Sequence, residues 1–265
     1  MSEVRIEILG ELSRQRLGRE LFDLVWPGDE GTQITPNLLQ AMVHSGAYLS
    51  GAFIGEECVG AAFAFPAKDS DGHLHLHSHM AGVLASHRNR NIGYALKLHQ
   101  REWALVNGYD LITWTFDPLV SRNANLNLSK LGVDVPFYYR DFYGQMPDAV
   151  NAGDASDRVM AYWHLNSARA LEALKSGKGA ISEAPLALAE INGSPEPRDV
   201  PSDSRVVRVA LPTDIAQLRT SNMELARLWR QQVRDAIEPR LAAQWKITSF
   251  THDRSYVLEA ADAHS

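Results

Sequence analysis

Hydrophobic positions along this chain recur with two periods, and the switches between them mark out its elements. Residues 4–9 alternate apolar and polar, as a half-buried strand does. Residues 12–26 change to helical spacing, with Leu17, Leu21, Phe22 and Val25 on one face, and Pro27-Gly28-Asp29 stops them. Thr35-Pro36 sets a cap and a first-turn proline before Leu38, Leu39 and Met42, with Gly46 as the stop. Strands follow over 47–54 and 58–66, joined at Gly55-Glu56-Glu57 as a hairpin. A polar turn, Lys68 to Gly72, leads into a long strand over 73–83. A helix is expected from about Tyr94 to Asn107, closed by Gly108. Residues 110–116 are almost continuously apolar, which suits a strand near the middle of a sheet, and Asp117-Pro118 breaks them. A helix over 121–131 ends at Gly132, and strands over 137–143 and 157–164 complete the series. The order β-α-α-β-β-β-α-β-α-β-β predicts the α/β class, an α+β mixed sheet with helices on both faces.

The rest of the chain is patterned more weakly. A short helix is expected over 167–175. Residues 176–204 hold Pro185, Pro195, Pro197 and Pro201 and read as a connector. A strand over 205–211 precedes Pro212-Thr213-Asp214, which opens a long helix carrying Leu218, Leu225, Leu228, Trp229 and Val233. Pro239 is expected to bend or end it. Residues 256–258 form a last strand. The expected organisation is a domain over 1–165, a helix and connector over 166–204, and a β-α-β extension over 205–265. That extension is too small to fold confidently alone and should pack on the main sheet or on a partner subunit, as in a homodimer.

Composition narrows the chemistry. A formal charge of −6 argues against wholesale nucleic-acid binding, so an anionic ligand must be held by local basic residues. Cys58 is the lone cysteine, which excludes an intrachain disulfide and a cysteine-based zinc site. The first residues do not read as a signal peptide, and no run of about 18 apolar residues suggests a membrane span. A cytoplasmic protein is the expectation. Walker A, Gly-x-Ser-x-Gly and Gly-x-Gly-x-x-Gly motifs are missing from the sequence.

The stretch from Val83 to Leu96 carries the most information. An apolar strand runs into the basic turn Ser86-His87-Arg88-Asn89-Arg90-Asn91, and the turn runs into an amphipathic helix containing Arg90-x-x-Gly93-x-Ala95. A strand-turn-helix of this kind aims several backbone N–H groups at one place, at the positive end of the helix dipole. Arg88 and Arg90 add charge. The arrangement is an anion cradle whose natural guest is a pyrophosphate.

These residues resemble the GNAT superfamily of acyl-CoA-dependent N-acyltransferases over roughly residues 4–165. Arg90, Gly93 and Ala95 match its Arg/Gln-x-x-Gly-x-Gly/Ala motif, and the run from Asn123 to Lys130-Leu131-Gly132 looks like its later helix. Leu76-His77-Ser78-His79-Met80 and Thr113-Trp114-Thr115-Phe116-Asp117-Pro118 look like one branch, and that resemblance implies acylation of amino acids from acetyl or succinyl donors. The resemblance implies a GNAT-like acyltransferase fold with a C-terminal extension. It also implies acetyl-CoA or another acyl-CoA as co-substrate and a small-molecule amine as acceptor; no metal is expected, since no acidic or third-element ligand accompanies His73, His75, His77 and His79. Two parallel strands, 73–83 and 110–116, would splay apart so that pantetheine adds to the exposed edge like a strand. An N–H near Val83 or Leu84 would polarise the acyl carbonyl. The amides of Arg88, Asn89, Arg90, Asn91, Ile92 and Gly93 would hold the pyrophosphate, and Asn123 opens a helix near the same gap.

Two departures from the family pattern stand out. Asn89 and Asn91 occupy a turn that is usually glycine-rich, and asparagine is the next most tolerant residue of positive φ. Leu128 stands where the family often has a Tyr that protonates the departing thiolate. Tyr138, Tyr139 and Tyr143 are candidates to replace it, or solvent supplies the proton.

His73, His75, His77 and His79 alternate along the strand, so period 2 puts them on one face. Three readings stay open: a metal site, a polar sheet face with satisfied histidines, or a base for the incoming amine. For the last, His79 is preferred over His77, being closer to Val83, because imidazole titrates in the right range. Asp117 is the alternative base, or the group that binds the amine, or simply a helix cap. Arg158 could meet a substrate carboxylate or make a surface salt bridge. A protein of this fold that binds CoA without turnover is the runner-up.

Overall fold

A computed structural model describes residues 3–27, 34–144, 153–177 and 182–261 of the 265. The stop expected at Gly28-Asp29 lies outside the described residues. The described residues divide into two compact units, the first over 3–114 and the second over 115–261. The division falls inside a strand, between Trp114 and Thr115.

In the first unit the elements follow the predicted order. They are β1 (Arg5–Ile8), α1 (Leu12–Val25), α2 (Pro36–His44), β2 (Tyr48–Ile54), β3 (Glu57–Lys68), β4 (Leu74–Val83), α3 (Ile92–Val106) and β5 (Leu111–Phe116), the last running on into the second unit. Thr35 caps α2 through its hydroxyl, which accepts from Leu38 N–H at 3.3 Å. The sheet order is β1-β2-β3-β4-β5, antiparallel up to β4 and parallel between β4 and β5.

The two faces of this sheet are covered by different helices. Leu49, Ala61, Phe63 and Met80 share a buried cluster with Leu21 and Phe22 of α1 and Leu39 of α2. The alternate positions face α3: Tyr48 meets His99 and Trp103, and a Cβ on Gly60 would meet Ile92 and Leu96 at 3.2–3.3 Å. Gly60 is therefore what lets α3 lie close on the sheet.

The second unit holds α4 (Ser121–Ala124), which continues as a π-helical stretch over Asn125–Leu131, then β6 (Asp134–Tyr139), β7 (Arg158–His164) and α5 (Ala168–Ser176). Gly132 ends the helical stretch at φ 68°, and a Cβ there would lie 2.7 Å from Arg169 O, so only glycine fits. The predicted connector is in part a hairpin, β8 (Leu186–Ile191) and β9 (Ser194–Pro197), turned at Asn192-Gly193 with both residues at positive φ. β10 (Val206–Ala210), α6 (Ile215–Ser221), α7 (Met223–Ala242), β11 (Lys246–Phe250) and β12 (Ser255–Glu259) follow. The second sheet has the order β11-β12-β10-β8-β9, with β8 and β10 parallel. Pro195 and Pro197 sit on the edge strand β9, where a missing N–H costs no ladder bond on the open side.

Two expectations are corrected here, and a third is narrowed. The tail holds three strands and two helices rather than β-α-β, and β8 and β9 of the connector complete its five-stranded mixed sheet. The long helix is two, because Asn222 breaks it and caps α7 by accepting from Leu225 N–H at 3.1 Å. Of the two outcomes expected at Pro239, a bend or an end, the end does not occur, and α7 runs on to Ala242. The tail packs against β6 and the π-helical stretch within its own unit, and Ser129 Oγ donates to Phe250 O at 3.3 Å.

Candidate functional site

The site is built at the end of β4. β4 and β5 are laddered at Leu76–Ile112 and His77–Thr113, and the pairing stops there although β4 runs on to Val83. On its other edge β4 stays paired to β3 along its whole length, with a register slip that leaves His79 as an unpaired bulge between Ser78 and Met80. Leu84 N–H donates to Val59 O at 3.0 Å. Antiparallel strands alternate the direction of their amides, so Ala81 and Val83 aim theirs away from β3, toward the edge that β5 has left. Leu84 is thus not a candidate for polarising a carbonyl, since its amide is already committed to β3. Val83 keeps that possibility, and Ala81 joins it.

Beyond Val83 the chain makes a single 3₁₀ turn, Ala85–His87, and then the basic turn. Asn89 (φ 63°) and Asn91 (φ 58°) both take left-handed backbone, as tolerance of positive φ requires of non-glycine residues. Arg88, Asn89, Arg90 and Asn91 are exposed. α3 starts at Ile92, two residues earlier than predicted, and its first internal bond runs from Ala95 N–H to Asn91 O at 3.0 Å. The N–H groups of Ile92 and Gly93 therefore have no acceptor inside the helix. At Gly93 the nearest atom to an added Cβ would be Val83 Cγ2 at 4.0 Å, so nothing in the chain crowds the helix start. Left-handed residues alternating before a helix N-terminus, with two exposed guanidinium groups, fit a diphosphate by shape and charge.

The histidines divide. His73 is exposed at the turn and meets Asp110 at 3.0 Å. His75 is buried. His77 bridges the two strands at the last ladder pair, its Nδ1 lying 3.0 Å from Thr113 Oγ1. Burial first, then His79, His75 and Lys97, push the pKa of His77 down to about 4. His79 sits on the bulge and is exposed at its edge, and the surrounding protein lowers its pKa from the usual 6.5. Both rings pack on Phe65, at 5.3 and 5.9 Å, and lie 6.3 Å apart. Among the described residues no three His, Cys, Asp or Glu groups gather in a way that could hold a metal ion.

Beneath the split lies a residue that the sequence reading missed. Lys97 of α3 is buried, and its Nζ donates to Ser78 Oγ at 2.8 Å and to Gln100 Oε1 at 3.1 Å. The same Nζ lies 3.8 Å from the centre of the Trp114 ring. Burial lowers the Lys97 pKa to about 7. The available signal was two polar residues, Lys97 and Gln100, on the buried stripe formed with Ile92, Leu96 and Ala104.

Other predicted residues belong to the second unit. Asp117 is buried and held by Arg230 (2.8 Å) and Arg219 (2.5 Å), and the same two arginines hold Asp154 at 2.7 and 2.9 Å. Burial works against its charge, but Arg230 and Arg219 outweigh it and keep the Asp117 carboxyl far below the usual range. It also accepts from Leu119 N–H at 2.9 Å, as a turn cap does. A carboxylate so held is a structural anchor, not a proton acceptor. Asn123 lies in α4, half-buried, with its N–H on Val120 O at 2.9 Å. Tyr138 donates to Asp157 Oδ2 at 2.6 Å, and burial and Asp157 raise its pKa, which unfits it as a proton donor. Tyr143 shares a 2.9 Å hydrogen bond with Thr115. Arg158 is buried rather than at the surface, and donates to Asp157 O at 2.8 Å.

Together these elements make a mixed α/β protein in which the β4–β5 ladder ends at His77–Thr113 and β4 leads on to a basic turn and the start of α3. No family model matches the chain, and no curated protein matches it. Solved structures do. A GNAT-family acetyltransferase from Desulfovibrio desulfuricans is 14% identical, over 62% of this chain and 99% of its own, with a TM-score of 0.45. Naa50 of Arabidopsis thaliana, in complex with the bisubstrate analogue CoA-Ac-MVNAL, is 18% identical over 61% and 98%, at 0.47. Aminoglycoside 6′-acetyltransferase type Ii is 15% identical over 62% and 98%, at 0.47.

Proposed function

We propose that the protein is an acyl-CoA-dependent N-acyltransferase that moves an acetyl or succinyl group to a small-molecule amine, amino acids among them. One observation carries the reading. The β4–β5 ladder ends at His77–Thr113, and the β4 edge beyond it leads straight to the exposed turn at Arg88–Asn91. An extended amide-containing arm that adds to this edge has its phosphates at the turn and its thioester back toward Ser78 and His79.

In this reading Arg88, Arg90 and the amides at the start of α3 neutralise the diphosphate. Ala81 and Val83 offer N–H groups to the pantetheine amides and to the acyl oxygen as charge builds on it. His79 takes the proton of the attacking amine, because it is exposed at the bulge and its pKa lies below the usual value, so it is neutral near pH 7. His77, tied to Thr113, positions the vertex instead. The amine attacks the thioester directly. Holding two reactants together supplies much of the acceleration.

Calorimetry with acetyl-CoA and succinyl-CoA tests the binding step, and a thiol-release assay with a panel of amines tests turnover. Absence of heat at low salt would end the reading. Heat without thiol release would leave a CoA-binding protein.

A further inference from the structure

We infer that Lys97, acting through the Ser78 hydroxyl, returns a proton to the departing thiolate. The inference rests on the acyl-transfer reading above. Ser78 and Trp114 are the first residues of β4 and β5 past the last ladder pair, and the Lys97 ammonium touches both, at 2.8 Å to Ser78 Oγ and 3.8 Å to the indole centre. Lys97 thus closes the vertex of the split from the α3 side. A thioester seated at that vertex places its sulfur beside the Ser78 side chain.

The surroundings suit a lysine that gives up its proton. Among the described residues, no carboxylate forms an ion pair with it. α3 supplies the neutral Gln100, β5 supplies Trp114, and β4 supplies Ser78 and, beside it, His77, whose pKa the Lys97 charge helps to lower. Gln100 is fully buried, and its Nε2 finds no acceptor among the described residues, so this polar island has a donor to spare. A structural lysine in such a place is a liability, because an unbalanced buried ammonium costs stability. A pKa near 7 makes it a stronger acid than a thiol of about 8.5.

The step balances. The C–S bond breaks and its electron pair stays on sulfur. Ser78 Oγ–H gives its proton to the sulfur and receives one from Lys97 Nζ. The amide nitrogen's proton has gone to His79. Lys97 and His79 then reset by exchange with solvent.

The test compares wild type with Lys97→Met, Ser78→Ala and Ser78→Thr. Lys97→Met should lower kcat with acetyl-CoA about 30-fold while KM for the donor changes less than about threefold, at the low end of acid–base effects because thiolate leaves readily. Ser78→Ala should match it and Ser78→Thr should restore most of the rate. The fall in kcat as pH rises through about 7 should vanish in Lys97→Met. A thioester donor with a more acidic thiol should recover most of the Lys97→Met rate. A fall in kcat through about pH 7 that persists in Lys97→Met, with an unchanged response to donor acidity, would overturn the inference while leaving acyl transfer intact. Failure of the wild type to bind acyl-CoA would overturn both.

Discussion

Each unit of this protein buries charge, and it does so in opposite ways. In the second unit two aspartates and two arginines form a closed knot: Asp117, Asp154, Arg219 and Arg230 are all nearly inaccessible and paired at 2.5–2.9 Å. In the first unit a single buried lysine faces a serine, a glutamine and an indole, with no carboxylate among its described partners. The knot is satisfied and so resists any change of protonation. The lysine is held near its midpoint at neutral pH. Stability and chemistry call for different arrangements, and an acid–base group is to be sought where charge is left unbalanced.

The sharpest way to break this comparison is to open the knot. Asp117→Asn strands two buried guanidinium groups against one remaining carboxylate and should destabilise the protein by about 3–5 kcal/mol, read from urea unfolding. The folded pKa of Asp117 is depressed, so its contribution is present above the unfolded value near 3.8 and is lost only as pH falls through the much lower folded value. An Asp117→Asn protein of wild-type stability would mean that the knot is not what holds this part of the second unit.

The next effect is at the exposed cradle. Arg88→Ala with Arg90→Ala should weaken acetyl-CoA about 10- to 100-fold by calorimetry, from the loss of charge-assisted bonds worth roughly 1.5–3 kcal/mol each before solvent screening. The free amine acceptor should be little affected, and the difference should shrink at high salt.

Lys97→Met should act on stability in the reverse sense to Asp117→Asn. Removing an unbalanced buried ammonium should raise stability at pH 7 by roughly 1–3 kcal/mol. The folded pKa of Lys97 is lowered to about 7 from 10.5, so the unfolded chain binds more protons between those values and wild-type stability rises with pH across that window. The Lys97→Met protein should lose that slope in urea unfolding measured from pH 7 to 10. A slope that persists would mean Lys97 is not the group responsible.

The smallest effect is in the turn. Asn89 has φ 63°, so Asn89→Ala should cost about 1 kcal/mol while Asn89→Gly stays near wild type, by thermal unfolding.

Local pattern made much of this readable in the sequence. The first unit's elements came from periodicity and caps, as at Thr35-Pro36, because each is decided by a few adjacent residues. The turn at Asn89 and Asn91 was legible for the same reason. The β8–β9 hairpin was not, because Pro195 and Pro197 suggested a connector when their place on an edge strand made them harmless. The Asn192-Gly193 pair was the signal that should have outweighed them. Asp117 looked free to act as a base because its partners lie about a hundred positions away, in Arg219 and Arg230. Lys97 was passed over because a lysine in an amphipathic helix normally reaches solvent, and only the packing of α3 on β4 and β5 shows that it does not.

The central claim is that the parted edge of β4 and the turn after it receive an acyl-CoA. Amide hydrogen exchange, followed residue by residue with and without saturating acetyl-CoA, tests it most directly. Slower exchange at Ala81, Val83 and the amides of Arg88 to Gly93 is the predicted result. Unchanged exchange at all of them, in the presence of the ligand, would contradict it.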